Sequence, residues 1–169
     1  HVILCGLGDV GIRVIECLKK INQKVVIIEK NSEGKFVDVI KNKNLLYIFS
    51  DATLEQSLKN ANAMQAKSII CATDDDMVNL EIGLNAKSLN KNIRVVLRIL
   101  DKDFAQKVEN LFKIKHALSS SFIAAPTFGS AATSTGVVNN LNILGKAHKL
   151  FEKHIDAIED FYKISTKKR

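Results

Sequence analysis

Five short, almost uniformly apolar runs, each stopped abruptly and each followed by helical periodicity, constrain this chain more than any other feature. Val2-Ile3-Leu4-Cys5 ends at Gly6, Val25-Val26-Ile27-Ile28 at Glu29-Lys30, and Leu45 to Phe49 at Ser50. Ser68-Ile69-Ile70-Cys71 and Arg94 to Ile99 follow, with a short segment around Ala117-Leu118 as a candidate sixth. Runs without polar alternation are what a strand shows when both of its faces are buried. Between them, Val10, Val14, Ile15 and Leu18 recur at helical spacing over Val10 to Lys20, and Phe36, Val37 and Ile40 share one face of a helix from Glu33 to Asn42. Thr53 with Gln56 three residues later has the form of a capping box opening a third helix. A long helix is expected from about Asp75 to Asn90, and Asp101 caps another that reaches about Leu111. Parallel strands need long crossovers, and each crossover helix must cover one face of the sheet. The expected fold is therefore α/β, a doubly wound Rossmann-type parallel sheet.

The rest of the chain reads differently. Ser121 to Thr133 is rich in Ala and Ser and contains the lone Pro126. From Val137 to Ile164, Leu144, Ala147, Phe151, Ile155, Ile158 and Tyr162 mark one helical stripe. The predicted organisation is a nucleotide-binding domain over residues 1–118 followed by a C-terminal helical extension over residues 119–169. Such a helix has no sheet left to cover and must pack on the domain or against another chain.

Composition narrows the function classes. The 169 residues are 46% hydrophobic and 25% charged, the balance of a globular protein, and no apolar run nears the roughly 18 residues that cross a bilayer. His1 stands where Met is expected and strand-like sequence begins at once, so the chain reads as an excised fragment. The net charge of +7 comes from scattered lysines with little aromatic interleaving and no Trp, which fits a solvated surface better than a polyanion-binding one, and no nucleic-acid partner is expected. Cys5, Cys17 and Cys71 sit in apolar stretches without metal-ligand spacing and read as buried hydrophobes in a reducing compartment.

The chemistry begins at Gly6-Leu7-Gly8-Asp9-Val10-Gly11, a G-x-G-x-x-G that follows a strand and opens a helix. Gly6 turns the chain out of the strand, Gly8 lets a pyrophosphate approach the backbone, and Gly11 lets the helix lie close to the sheet. The helix N-terminus offers N–H groups and partial positive charge to phosphates. Glu29, 18 positions after Gly11 and last in its strand, suits both hydroxyls of an adenosine ribose and repels a 2′-phosphate, whereas Lys30 beside it tolerates phosphate. Asp51, in Asp51-Ala52-Thr53, either reaches an adenine amino group or caps the next helix. In Ala72-Thr73-Asp74-Asp75-Asp76 one acid is a helix cap, and the others sense a ligand or a hard cation. Arg98 needs a partner for its charge, either a phosphate or an internal carboxylate.

Together these residues resemble the regulator of K⁺ conductance (RCK) domain shared by potassium channels and Trk/Ktr-type transport systems. The likeness runs over about residues 1–132, through His1 to Gly8 with Gly11, Asp51-Ala52-Thr53, Ala72 to Asp76 with Asn79, Arg98, and Phe122 to Pro126. Ser50 departs from it, standing where the family often has Gly. The resemblance implies dimers and cytoplasmic rings, a potassium pore or transporter as membrane partner, and NAD(H), ATP, ADP or AMP as ligand. It also implies gating of ion flux rather than turnover, with residues 119–169 as a dimerisation or connector extension. The competing reading is the NAD-binding domain of an oxidoreductase without its catalytic domain; a third is a domain that has lost its ligand. A dehydrogenase needs substrate- and proton-handling groups beside the nicotinamide. Here His1, His116, His148 and His154 have no carboxylate partner at useful spacing, no Gly-Lys-Ser/Thr phosphate loop is present, and no catalytic residue or metal ligand is nominated.

Overall fold

The computed structural model describes residues 1–133, 137–143 and 146–151, which fall into two compact units, His1–Ser120 and Ser121–Arg169. The first unit alternates β1 (Val2–Cys5), α1 (Asp9–Lys20), β2 (Val25–Glu29), α2 (Val37–Asn42), β3 (Leu46–Phe49), α3 (Glu55–Asn60), β4 (Ser68–Cys71), α4 (Asp76–Leu89), β5 (Arg94–Arg98), α5 (Lys102–Phe112) and β6 (Ala117–Leu118). Its six strands pair in parallel in the order β3-β2-β1-β4-β5-β6. The order reverses beside β1, whose Val2 to Cys5 register with Val25 to Ile28 on one side and Ser68 to Cys71 on the other. A crevice at the carboxyl ends of β1 and β4 is the place where such a sheet binds ligands.

Successive side chains of a strand point to opposite faces, and here both faces are covered. Ile3 and Cys5 of β1, with Ile69, Cys71, Val95 and Leu97, pack under Leu58 of α3, Ile82 and Ala86 of α4, and Val108 of α5. Leu4, with Val25 and Ile27, packs under Ile12 and Ile15 of α1 and Val37 and Ile40 of α2. That division explains the unbroken apolar strands. The edge strand β3 is the exception, with Leu46, Tyr47 and Phe49 exposed.

Helix starts follow local polar chemistry. Asp75 caps α4 by accepting from the N–H groups of Met77 and Val78, and Asp101 caps α5 through Phe104. The capping box at Thr53 does not form. Asp51 Oδ1 accepts from both the N–H and the hydroxyl of Thr53, closing an Asx turn, so the N-cap of α3 falls one residue later than the pattern suggested, at Leu54. Gln56 bonds Asn60 instead. Helix α2 is likewise shorter than expected, leaving Glu33 to Phe36 as a loop. Cys17 is exposed on α1, a correction to its reading as buried, because position 17 falls off the apolar stripe formed by Ile12 and Ile15. Cys5 and Cys71 are buried, and burial pushes the Cys71 thiol up.

In the second unit α6 (Ser120–Thr133, its first residue in the first unit) is followed by β7 (Val137–Ile143) and β8 (Lys146–Phe151), an antiparallel pair. The continuous helix expected from Val137 is therefore wrong over residues 137–151; its remainder lies outside the described residues. Val137 and Val138 are β-branched, Asn139, Asn140 and Asn142 are weak helix formers, and only Leu144-Gly145 separates the strands in sequence. Within the described residues no helix is long and apolar enough to cross a membrane.

One packing constraint sets the start of α1. A Cβ built on Gly11 would lie 2.2 Å from the Gly6 carbonyl oxygen, and backbone cannot swing aside as a side-chain tip does. Gly11→Ala is expected to lose about 1–3 kcal/mol in urea unfolding, the range for forced overpacking. An unchanged midpoint and slope would contradict the close approach.

Candidate functional site

The loops after β1 to β4 and the end of β5 enclose one crevice of about 650 Å³. Of the fifteen residues expected to contact a nucleotide, all but Gly11 border it. Gly11 acts from behind, by letting α1 close on the β1 turn. Gly6 has φ +95°, a conformation L residues rarely adopt, and a Cβ there would come within 2.9 Å of Thr73 N. Gly8 is the opposite case: nothing lies within 4 Å of where its Cβ would stand. As the N-cap of α1 it has no side chain to satisfy the first-turn N–H groups.

Glu29 sits at the end of β2 with one oxygen accepting from Leu7 N at 2.6 Å and the other from Asn31 N at 2.8 Å. The carboxylate thus joins the glycine turn to the β2–α2 loop, and each oxygen keeps a free lone pair. Lys30 does not face a ligand alone: its Nζ is 2.8 Å from Asp51 Oδ2. Because Asp51 accepts from Lys30 and from the N–H and hydroxyl of Thr53, its carboxyl is held down from the usual 3.8 to about 2. Of the two roles read for Asp51, capping is not the one it plays, because α3 begins after Leu54 without a side-chain cap; Asp51 instead forms the turn ahead of α3 and borders the crevice. Ser50 donates to or accepts from the buried Ser57 at 2.7 Å, a tether between β3 and α3 that a glycine there would lack.

On the other side of β1 the three successive acids separate. Asp75 is the α4 cap, and Asp76 receives the Leu100 N–H on both oxygens at 2.9 Å, fastening the β5–α5 turn. Asp74 is exposed on the crevice rim. Asn79, fully buried, accepts from the Thr73 N–H and hydroxyl and donates to the carbonyls of Thr73 and Arg98. Arg98 is held by a main-chain carbonyl rather than by the internal carboxylate that was one of its two expected partners. Its Nη1 donates to the Thr73 carbonyl at 2.7 Å, while its buried Nε has no acceptor. A buried donor without a partner is costly, and this one belongs to a residue that borders the crevice.

Lys35 and Phe36, also on the wall, went unread because the sequence pattern placed them inside a helix. In the structure they stand on the loop before α2, with the Lys35 ammonium 4.8 Å from the Phe36 ring centre and 3.0 Å from Asp9 Oδ1. A lysine shortly after the acid that ends a second strand was the available signal.

The sequence of the TrkA-N domain matches residues 2–120 of this chain. The chain belongs to the TrkA-N family. Among curated relatives, this TrkA-N chain is 38% identical over 98 residues to potassium channel protein 1 of Methanocaldococcus jannaschii, covering 58% of the chain and 29% of the relative. It is 31% identical over 115 residues to the Trk system potassium uptake protein TrkA homolog of Pyrococcus horikoshii, covering 68% of the chain and 50% of the relative. The chain thus spans half or less of the length of these relatives. The same fold occurs in the GsuK channel bound to NAD (TM-score 0.69, 17% identity, 85% of this chain and 25% of that one). It occurs again in the Shewanella denitrificans Kef C-terminal domain in AMP-bound form (TM-score 0.68, 21% identity, 78% of this chain and 77% of that one).

The Lys30–Asp51 pair has a measurable consequence. A carboxylate whose folded pKa is depressed contributes stability above its unfolded pKa, and loses it as pH falls through the folded value. Lys30→Ala is expected to move the Asp51 midpoint upward from about 2, read by carboxyl-carbon NMR titration, with the Thr53 bonds holding it below 3.8. A midpoint that stays put would show that the Thr53 turn alone sets it.

Proposed function

We propose that this TrkA-N domain is the ligand-sensing part of a potassium channel or potassium-uptake system. It lies on the cytoplasmic face of the membrane, binds an adenosine nucleotide (NAD(H), ATP, ADP or AMP) and controls ion flux by conformational change. It works as a homodimer or a larger ring beside a membrane-embedded pore or transporter. The observation that carries the reading is the crevice itself. It crosses the reversal of strand order, with an unobstructed Gly8 and uncapped first-turn N–H groups on one side and an orphaned Arg98 Nε on the other. The potassium-linked names of the relatives, and the NAD and AMP of the two solved structures, support the same reading.

Each part of the site has a task. The glycine turn and the α1 N-terminus hold the phosphates. The spare lone pairs of Glu29 accept from ribose hydroxyls, and Asp51 and Thr53 flank the base. Ala72, Thr73, Asp74 and Arg98 line whatever extends past the phosphates. The residues fit such a ligand because Gly8 leaves space where a side chain would stand and Arg98 offers an unspent donor. Regulation is favoured over turnover because the titratable lining consists of carboxylates, two lysines and an arginine, most of them already held in ion pairs or turn-forming bonds. A ligand held this way shifts the packing of two domains only through different affinities for the two arrangements.

Glu29→Gln and Gly8→Ala test the reading. Alanine at Gly8 meets nothing within 4 Å, so thermal stability should be nearly unchanged. Calorimetric affinity for whichever adenosine nucleotide binds the unaltered chain should fall about tenfold or more, as expected when a polar partner or the approach to a phosphate is lost. Undiminished binding in both variants would remove the proposed site.

A further inference from the structure

The crevice carries more acid than a phosphate site needs. Five carboxylates border it, those of Asp9, Glu29, Asp51, Asp74 and Asp75, against three cations, Lys30, Lys35 and Arg98. Both lysines are already engaged, Lys30 with Asp51 and Lys35 with Asp9. Asp9 matters most because of its position. It opens the first turn of α1, where a carboxylate takes up part of the positive potential that the helix end would offer a phosphate. Its partner Lys35 comes from the neighbouring loop before α2, so the 3.0 Å pair ties that loop to the glycine turn at the rim.

We propose that Asp9 makes the crevice select its nucleotide by charge, favouring a dinucleotide or a monophosphate over a free triphosphate. The inference rests on the nucleotide-binding reading above and names which class of nucleotide the site takes. The Asp9 and Lys35 side chains are 82% and 72% exposed, and such a pair is weak. A phosphate can therefore draw Lys35 away at small cost, but it then leaves Asp9 unpaired beside the glycine turn. One or two phosphate charges are met by the α1 N–H groups and Lys35. Each further phosphate adds roughly one negative charge and finds Asp9 or Asp74 rather than another free cation. NAD suits this arrangement doubly. Its two phosphates are diesterified, and its second nucleoside extends toward the β4–β5 half, where Val78 and Ile82 supply apolar wall and Arg98 an unspent donor.

The test is calorimetry on the 169-residue chain with NAD⁺, AMP, ADP and ATP, first in EDTA and then with Mg²⁺, for the unaltered protein and Asp9→Asn. In EDTA, ATP should bind roughly tenfold or more weakly than NAD⁺ or AMP, and Mg²⁺ should restore most of the difference by neutralising the extra phosphates. Asp9→Asn keeps the size of an exposed side chain and should improve ATP binding several-fold more than NAD⁺ binding, shrinking the ratio. Thermal unfolding of the unliganded variant checks that it is folded; should it be destabilised, Lys35→Met, which leaves Asp9 in place and unpaired, must widen the ratio instead. Equal affinities in EDTA, or an Asp9→Asn change that is the same for all four ligands, would overturn charge selection while leaving the nucleotide site intact. Weak ATP binding that Mg²⁺ does not restore would point to shape instead and overturn it too. If none of the four binds, the nucleotide reading falls and this inference with it.

Discussion

The approach of α1 to the turn that leaves β1 is the constraint on which the site depends. Gly6 takes a positive φ and nests against the Ala72–Thr73 backbone, so the β1 and β4 turns sit within touching distance. Gly11 then lets the first turn of α1 settle on the Gly6 carbonyl, which fixes where the N–H groups of that turn emerge. Neither glycine has to touch a ligand for this to matter. They set the backbone so tightly that the third glycine, Gly8, opens onto empty space. Two close contacts thus create one absence of contact, and that absence is the feature a phosphate can use.

On the far side of β1, hydrogen bonds do what close packing does on the near side. The Thr73 carbonyl accepts from both Asn79 and Arg98, while Asn79 also holds the Thr73 N–H and hydroxyl and the Arg98 carbonyl. A buried asparagine with its polar atoms satisfied specifies one arrangement, because each alternative strands a donor or acceptor. This arrangement orients Arg98 through one guanidinium nitrogen and leaves another unspent. An arginine at the inner end of an apolar strand announced itself in the sequence as needing a partner. That its first partner is a main-chain carbonyl brought near by a tight turn was not readable there.

What the sequence made legible was whatever a short-range rule controls. The parallel sheet was readable because strands buried on both faces lose their polar alternation, as Ile3, Leu4 and Cys5 show by dividing between two cores. The glycine turn and Glu29 were readable because their spacing is a property of one βαβ unit. Three features escaped, each for its own reason. At Thr53, two rules competed for the same residues, and the Asx turn at Asp51 prevailed over the capping box. Lys35 and Phe36 were assigned to a helix that starts only at Val37, so their place on the rim was hidden by a boundary shifted by a few residues. In the 137–151 segment, apolar residues fit a helical stripe well enough to mask the β-branched pair, the three asparagines and the two-residue connection that mark a hairpin.

The interactions around the crevice differ in kind between floor and rim, and this bears on how a ligand acts there. The floor is built from backbone contacts and buried hydrogen bonds: Gly6 on Thr73, Gly11 on Gly6, and Asn79 on Thr73 and Arg98. The rim is closed by two lysine–carboxylate pairs, Lys30–Asp51 and Lys35–Asp9, whose lysines are largely solvent-exposed. Buried satisfied networks resist exchange, whereas exposed ion pairs give up little when a partner is replaced. On the proposed function, an incoming phosphate would rework the rim first, and the segment affected would be the loop from Glu29 to Phe36 leading into α2. Glu29 stands at the junction of both regimes. It bonds to the glycine turn through Leu7 and to that loop through Asn31 with one carboxylate, and so couples floor and rim directly. Under the proposed function, a fixed floor with an exchangeable rim would turn occupancy into displacement of one loop rather than of the whole sheet, the mechanical form that reading requires.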